Sequence, residues 1–150
     1  MSAAVDRGTE PTKGLTARRW PLVVVGGGPA AALQLYRSGR GRPDTLVVAD
    51  RLGGGMGFMG PLRLQSYTDE LSVGLPVAGL RAALGPGEIQ PRASDYDAYV
   101  RDAITGAGAT VAEGRVDDVV DGDRGLVVRA VADGRSVALA ADTVVLATGT

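Results

Sequence analysis

The apolar positions of this chain fall in short runs separated by glycine, and the stretch 21–50 sets the pattern. Leu22, Val23, Val24 and Val25 form an unbroken apolar run rich in β-branched residues. Such a run predicts a strand buried on both faces, as in a parallel sheet. Pro21 stands at its first position, where a missing donor is tolerated. Gly26, Gly27 and Gly28 then predict a sharp turn. Pro29 suits a first helical turn, and Ala30, Ala31, Ala32, Leu33, Leu35 and Tyr36 continue a helical pattern that Gly39 ends. Leu46, Val47 and Val48 form a second buried run, closed by Asp50. The order is strand, glycine turn, helix, strand, acid.

Beyond residue 60 the pattern is more broken. Leu62, Leu64 and Leu71 are apolar, but Gly74, Pro76, Gly79, Gly85, Pro86 and Gly87 leave room for only a short helical turn over 80–84. Segment 92–108 predicts a helix, with Ser94 as N-cap and Asp95 and Asp97 in the first turn. Tyr96, Tyr99, Val100, Ala103 and Ile104 fall near one face, and tyrosines at that spacing read as core. Gly106 and Gly108 end the helix, and Thr110, Val111 and Ala112 follow as a third short strand. Short strands are expected at 116–120, 126–131 and 137–140, the last two joined by Asp133-Gly134, a type I′ hairpin signal. Thr143, Val144, Val145 and Leu146 form a last buried run that ends in Ala147, Thr148 and Gly149, small enough for close approach to a ligand.

The order at the front carries chemistry. A helix begins with unpaired N–H groups and a partial positive charge, so a pyrophosphate can sit there if no side chain blocks it. Gly26 supplies the turn, Gly28 the close approach, and Ala31 the third small position that lets helix pack on strand. Asp50 lies 24 positions after Gly26, near the offset of about 20 for a ribose-binding acid. The loop 51–60, RLGGGMGFMG, holds five glycines and leaves the carboxyl end of the second strand, where open α/β sheets bind ligands. It is read as ligand-facing, with a surface loop as the alternative. Met56, Phe58 and Met59 either cover a flat ring or belong to the core. Gln65, Ser66 and Tyr67 either hydrogen-bond a ligand or are solvated loop residues.

Composition narrows the choices. With 150 residues, one domain with a substantial core is expected. The net charge of −1, with signs interspersed, points to neither nucleic acid nor an anionic membrane. The chain has no cysteine and no histidine, which removes a disulfide framework, a redox CxxC, a thiolate nucleophile, a Ser/His/Asp triad and a His-ligated zinc from these residues. Redox chemistry would have to come from a flavin or nicotinamide. Asp117, Asp118, Asp121 and Asp123 lack the glycine and distal Glu of an EF-hand loop and read as turn and strand-edge carboxylates. Residues 1–20 read as a loose tail. Arg18 and Arg19 before an apolar run mimic a twin-arginine signal, but that run is the first strand of the nucleotide fold. No membrane span is expected, and the expected location is cytoplasmic.

Together, VVVGGGPAA, Asp50, the pair Gly53 and Gly54, three consecutive short strands and DTVVLATGT resemble the FAD-binding domain of two-dinucleotide-domain flavoproteins, the class of thioredoxin reductases and flavin-dependent monooxygenases. The resemblance covers 21–150. It implies an α/β fold of FAD/NAD(P)-binding type: a Rossmann-like parallel sheet with a three-stranded β-meander. It also implies that the FAD pyrophosphate lies at Gly26, Gly27, Gly28, Pro29 and Ala30, and the adenosine ribose at Asp50, beside Arg51. Gly53 and Gly54 would lie along the cofactor, the backbone of Val116 would meet adenine, and Ala147, Thr148 and Gly149 would lie close to the cofactor. RLQSYTDEL (63–71) and PRASDYDAYV (91–100) loosely resemble segments of lysine- and ornithine-type N-hydroxylases, which tilts the reading toward a monooxygenase.

In that class an NAD(P)H domain follows the ATG motif, and the chain then returns to finish the FAD domain. The expectation is therefore an FAD-binding domain over 21–150, incomplete at its C-terminus, with NAD(P)H bound outside it and a further segment or subunit completing it. The leading function is an FAD-dependent oxidoreductase, with no catalytic side chain assignable. The alternatives are an NAD(P)-dependent dehydrogenase, in which Arg51 suits a 2′-phosphate that Asp50 repels, and a non-catalytic FAD-binding half that serves another subunit.

Overall fold

A computed structural model describes residues 12–38 and 43–149. Tail residues 1–11 and Gly39, the expected helix end, lie outside the described residues. The strand β1 (Trp20–Val25) runs between two parallel neighbours, β2 (Thr45–Ala49) and the end of β5 (Arg135–Leu146). Pro21 is the second residue of β1, and the pairing with β5 steps from Trp20 to Leu22 across it. β2 pairs in parallel with the start of β3 (Thr110–Gly122).

Side chains alternate across these strands. Val24 and Val47 face one layer, formed by α2 (Pro29–Arg37), α3 (Val77–Leu84) and α4 (Ala93–Thr105), which contribute Ala31, Leu35, Leu80, Val100 and Ile104. Val23, Val25, Leu46 and Val48 face the other side and meet Val128 and Ala130 of β4 (Gly125–Ala132) and Leu139 of β5. The first two strands are thus buried on both faces, as their apolar runs require. Each fully buried valine or leucine there contributes about 1.5–3 kcal/mol.

The strands beyond 110 differ from the expected separate meander. The runs at 110–112 and 116–120 are one strand, β3, and those at 137–140 and 143–146 are one strand, β5. β3 pairs antiparallel with β4, and β4 with β5, so the sheet closes in the order β1-β2-β3-β4-β5. The outer strands are long enough to leave the parallel layer and arch over it. A bulge between Val116 and Asp118 supplies the extra bend and twist. The result is a mixed α/β fold whose five strands have mixed orientation. At the β4–β5 turn, Asp133 (φ 50°) and Gly134 (φ 73°) are both left-handed, as a type I′ hairpin demands.

Three local expectations also change. Part of the expected tail is anchored: α1 (Thr12–Thr16) buries Leu15, and the indole N–H of the buried Trp20 donates to the Leu15 carbonyl at 2.9 Å. Helix α3 is eight residues long and starts at Val77, ahead of the expected turn. Helix α4 has Arg92, not Ser94, at its N-cap. The N–H groups of Ala93 and Ser94 donate to the carbonyls of Leu62 and Gly60 at 2.9 and 3.0 Å, so neighbouring backbone serves donors that a cap would have taken. No helix among the described residues is long and apolar enough to cross a membrane.

Candidate functional site

The carboxyl ends of β1, β2 and β5 meet at one crest. The Gly26 N–H donates to Val48 O at 2.9 Å, the Ala147 N–H to Val25 O at 2.8 Å, and the Gly53 N–H to Gly27 O at 2.7 Å. These bonds lock together the turns after all three strands. Gly26 has φ 120°, and a Cβ there would overlap the Ala147 carbonyl. A Cβ on Gly27 would overlap the Arg51 carbonyl. Both glycines are thus required by the protein's own packing.

Gly28 is different. Its backbone is extended (φ −93°, ψ −166°), a conformation open to any L residue. The nearest atom to a Cβ there would be Gly54 Cα, at 3.9 Å. Nothing among the described residues requires glycine at this position. It borders a cavity of about 470 Å³ at the start of α2. No side chain caps that helix, Pro29 is at its first position, and the first backbone bond runs from Ala32 N–H to Gly28 O at 3.2 Å. The helix itself offers the N–H groups of Ala30 and Ala31 no acceptor.

Most of the expected site residues line this one cavity: Gly26, Gly27, Gly28, Pro29 and Ala30 from the first turn, Asp50 and Arg51 from the second, and Gly54. Val116 lines it from β3, and Ala147, Thr148 and Gly149 from the end of β5. Asp50 is exposed and makes no ion pair among the described residues. Gly53 stands behind the wall, buried against Asp97. Gln65 is not brought to the cavity; its carbonyl accepts from Gln90 Nε2 at 2.7 Å. Its segment is drawn away by pairing with 89–93, where the Leu64 N–H donates to Pro91 O at 2.9 Å. Tyr67 goes with it and forms a capping arrangement with Glu70.

The glycine loop resolves into separate roles. Met56 packs on the helical core. Phe58 is 82% exposed, lines the cavity, and lies with its ring centroid 4.5 Å from the Arg51 guanidinium carbon. Gly55, in the loop read as ligand-facing, also lines the cavity, as do Gly114 and Arg115, which were not expected there. Another unexpected residue is Asp97, only 4% exposed, whose carboxylate accepts from Arg51 Nη2 at 3.3 Å and from the Gly57 N–H at 3.1 Å. Its signal in the sequence was a carboxylate beside the apolar stripe Ala93, Tyr96, Val100 and Ile104. The tyrosines of that helix are structural: the Tyr96 hydroxyl donates to Leu71 O at 3.2 Å, and burial raises the pKa of both Tyr96 and Tyr99.

No protein-family model and no curated protein matches the chain. Solved structures do. Bacillithiol disulfide reductase Bdr from Bacillus cereus superposes with a TM-score of 0.65 at 22% identity, over 88% of this chain and 40% of that one. The flavin-dependent monooxygenase PieE, solved with FAD and substrate, gives 0.60 at 18% identity, over 89% of this chain and 31% of that one. A flavoprotein/dehydrogenase from Cytophaga hutchinsonii gives 0.60 at 15% identity, over 88% of this chain and 40% of that one. The chain spans 31% to 40% of these proteins, and the likeness is one of fold: a mixed α/β unit shared with part of a disulfide reductase, a flavin-dependent monooxygenase and a flavoprotein dehydrogenase.

Proposed function

We propose that the chain is an FAD-binding oxidoreductase domain of monooxygenase-like type. The observation that carries this reading is the open ground above Gly28, at the unfilled N-terminus of α2 and in the same cavity as Asp50. A pyrophosphate fits there because a missing side chain, free N–H groups and a helix dipole coincide. Ala30 and Ala31 donate backbone N–H groups to it, and Asp50 accepts hydrogen bonds from ribose hydroxyls. The Val116 backbone meets adenine, and Ala147, Thr148 and Gly149 keep their side of the cavity free of bulk. FAD would supply the redox chemistry when bound, with hydride from NAD(P)H held outside this segment. The choice of FAD draws on the flavoproteins that share the fold, one of them solved with FAD.

In the NADP-dependent form of the dehydrogenase alternative, Arg51 would suit a 2′-phosphate. That guanidinium is engaged by Asp97, so this form loses support. A second reading concerns completion. The 142–146 stretch of β5 pairs with β1 on one side only, and Leu146 is 67% exposed there. We infer that a further segment or subunit covers that edge, in line with the part-length match to larger flavoproteins.

Titration of the purified chain with FAD and with NADPH, followed by flavin fluorescence and calorimetry, tests the function. FAD binding in preference to NADPH is expected. A well-folded chain that binds NADPH and rejects FAD overturns the proposal.

A further inference from the structure

Arg51 follows Asp50 directly and lines the same cavity, and its guanidinium is paired there with Asp97. Its Nη2 lies 3.3 and 3.4 Å from the two Asp97 carboxylate oxygens, and its guanidinium stands over the Phe58 ring. Two glycines make room for this arrangement. A Cβ on Gly53 would overlap the Asp97 carboxylate, and a Cβ on Gly57 would overlap Arg51 Nη2. The Gly57 N–H also donates to Asp97. The pair is therefore built into the loop, and a buried carboxylate on the helical layer holds a cation at the cavity rim.

We propose that Asp97 is a positioning residue that sets which adenosine ligands the cavity accepts. It neutralises Arg51 and leaves Asp50 as the uncompensated charge beside it. A ribose with free 2′- and 3′-hydroxyls donates to Asp50. A 2′-phosphate on that ribose meets a carboxylate, and both arginines that line the cavity are paired, Arg51 with Asp97 and Arg115 with Asp117. The inference rests on the proposed dinucleotide site, and it concerns the selectivity of that site rather than its existence. Without Asp97, Arg51 becomes available to a 2′-phosphate, because an arginine guanidinium stays charged and matches phosphate geometry.

The test is calorimetric titration with 5′-AMP and adenosine 2′,5′-bisphosphate, which differ only at the 2′ position. Wild type is expected to favour 5′-AMP. Asp97→Asn keeps an acceptor for the Gly57 N–H and removes the charge. It should shift the affinity ratio toward the bisphosphate by about tenfold or more, the scale of one charged hydrogen bond. Adding Arg51→Met to that variant should abolish the shift. In Arg51→Met/Asp97→Leu, which removes the pair whole, the ratio should stay within about threefold of wild type, whatever happens to both affinities together. A folded Asp97→Asn with an unchanged ratio overturns the inference while leaving the site intact. So does a double variant that loses bisphosphate binding selectively, which decides the matter if Asp97→Asn does not fold. Wild type that binds neither nucleotide nor FAD removes the dinucleotide site itself.

Discussion

The Cα of Gly26 faces the carbonyl of Ala147 so closely that no side chain fits between them. This contact joins the turn after β1 to the end of β5, across 121 positions of sequence. The bonds from Gly26 N–H to Val48 O and from Ala147 N–H to Val25 O hold it shut. Gly26→Ala combines a strained positive φ with a clash against backbone. It should destabilise the chain by about 2–4 kcal/mol, read as a lowered urea midpoint with an unchanged slope.

Asp97 gives a second stability prediction. Asp97→Ala strands the Gly57 N–H and leaves Arg51 without its partner. A fully buried pair broken this way costs about 3–5 kcal/mol, but Arg51 is 36% exposed, so solvent screening reduces the loss to about 1–3 kcal/mol. Asp97→Asn should lose less, because its amide oxygen still accepts from Gly57. Chemical denaturation of the two variants side by side measures the difference, and equal losses would assign the whole effect to the charge.

The parts of the fold that could be read in the sequence are those whose signal is local. Val23, Val24 and Val25 announce a strand buried on both faces, and Asp133-Gly134 announces a two-residue hairpin, because each depends on adjacent residues alone. The turn at the front glycines was legible for the same reason: a turn and its flanking strands are set by adjacent residues. Strand continuity was not. Whether 110–112 and 116–120 are one strand depends on β2 and β4 lying on successive lengths of β3, which no short window contains. The carboxylate of Asp97 could be seen at a helix start, where it looked like a partner for the dipole. Its burial against Arg51 is a contact across 46 positions and needed the packed loop to appear. Gln65 was placed by nearness in sequence to the glycine loop, and pairing with 89–93 carried it elsewhere.

Alkaline pH should weaken the helical layer through Tyr96. Burial raises its phenol pKa above the ordinary value of 10.0, and Tyr99 beside it adds to the effect. The folded state therefore keeps the proton to a higher pH than the unfolded state. The associated stability is intact below about pH 10 and is lost as pH rises through the folded pKa. Tyr96→Phe forfeits the hydrogen bond to Leu71 O, costing about 0.5–1.5 kcal/mol at neutral pH. It should also flatten the fall in urea midpoint above about pH 10, with a remainder from Tyr99, whose pKa burial likewise raises. A fall as steep as that of wild type would show that Tyr96 is not the group responsible.

Asp50→Ala separates binding from folding at the second turn. The carboxylate is exposed and has no ion pair among the described residues, so thermal stability should change by less than about 0.5 kcal/mol. Loss of a charged hydrogen bond to ribose should weaken FAD by about one to two decades. Unchanged FAD affinity in the folded variant would take Asp50 out of the site.

Gly28 offers the sharpest contrast with Gly26, because the two lie within one turn and owe their small size to different neighbours. Alanine at Gly28 needs no unusual φ, and its methyl group would make one ordinary contact, with Gly54 Cα at 3.9 Å. Folding should therefore tolerate Gly28→Ala, with a stability change within about 1 kcal/mol of wild type and of either sign, since alanine also restricts the unfolded chain. The methyl group instead projects over the N-terminus of α2, where a phosphate must come within hydrogen-bonding distance of the Ala30 and Ala31 N–H groups. FAD affinity should fall by at least about tenfold in Gly28→Ala and by more in Gly28→Val, whose branches fill more of the same space. Gly134→Ala is the control: φ is 73° in the hairpin, no atom lies within 4 Å of the added Cβ, and the residue does not line the cavity. It should cost about 1–2 kcal/mol of stability and leave binding untouched. Thermal melts and FAD titrations on the variants give the two readouts independently. If Gly28→Val binds FAD as wild type does, the space above Gly28 is not where a pyrophosphate lies, and the dinucleotide reading loses the observation it stands on.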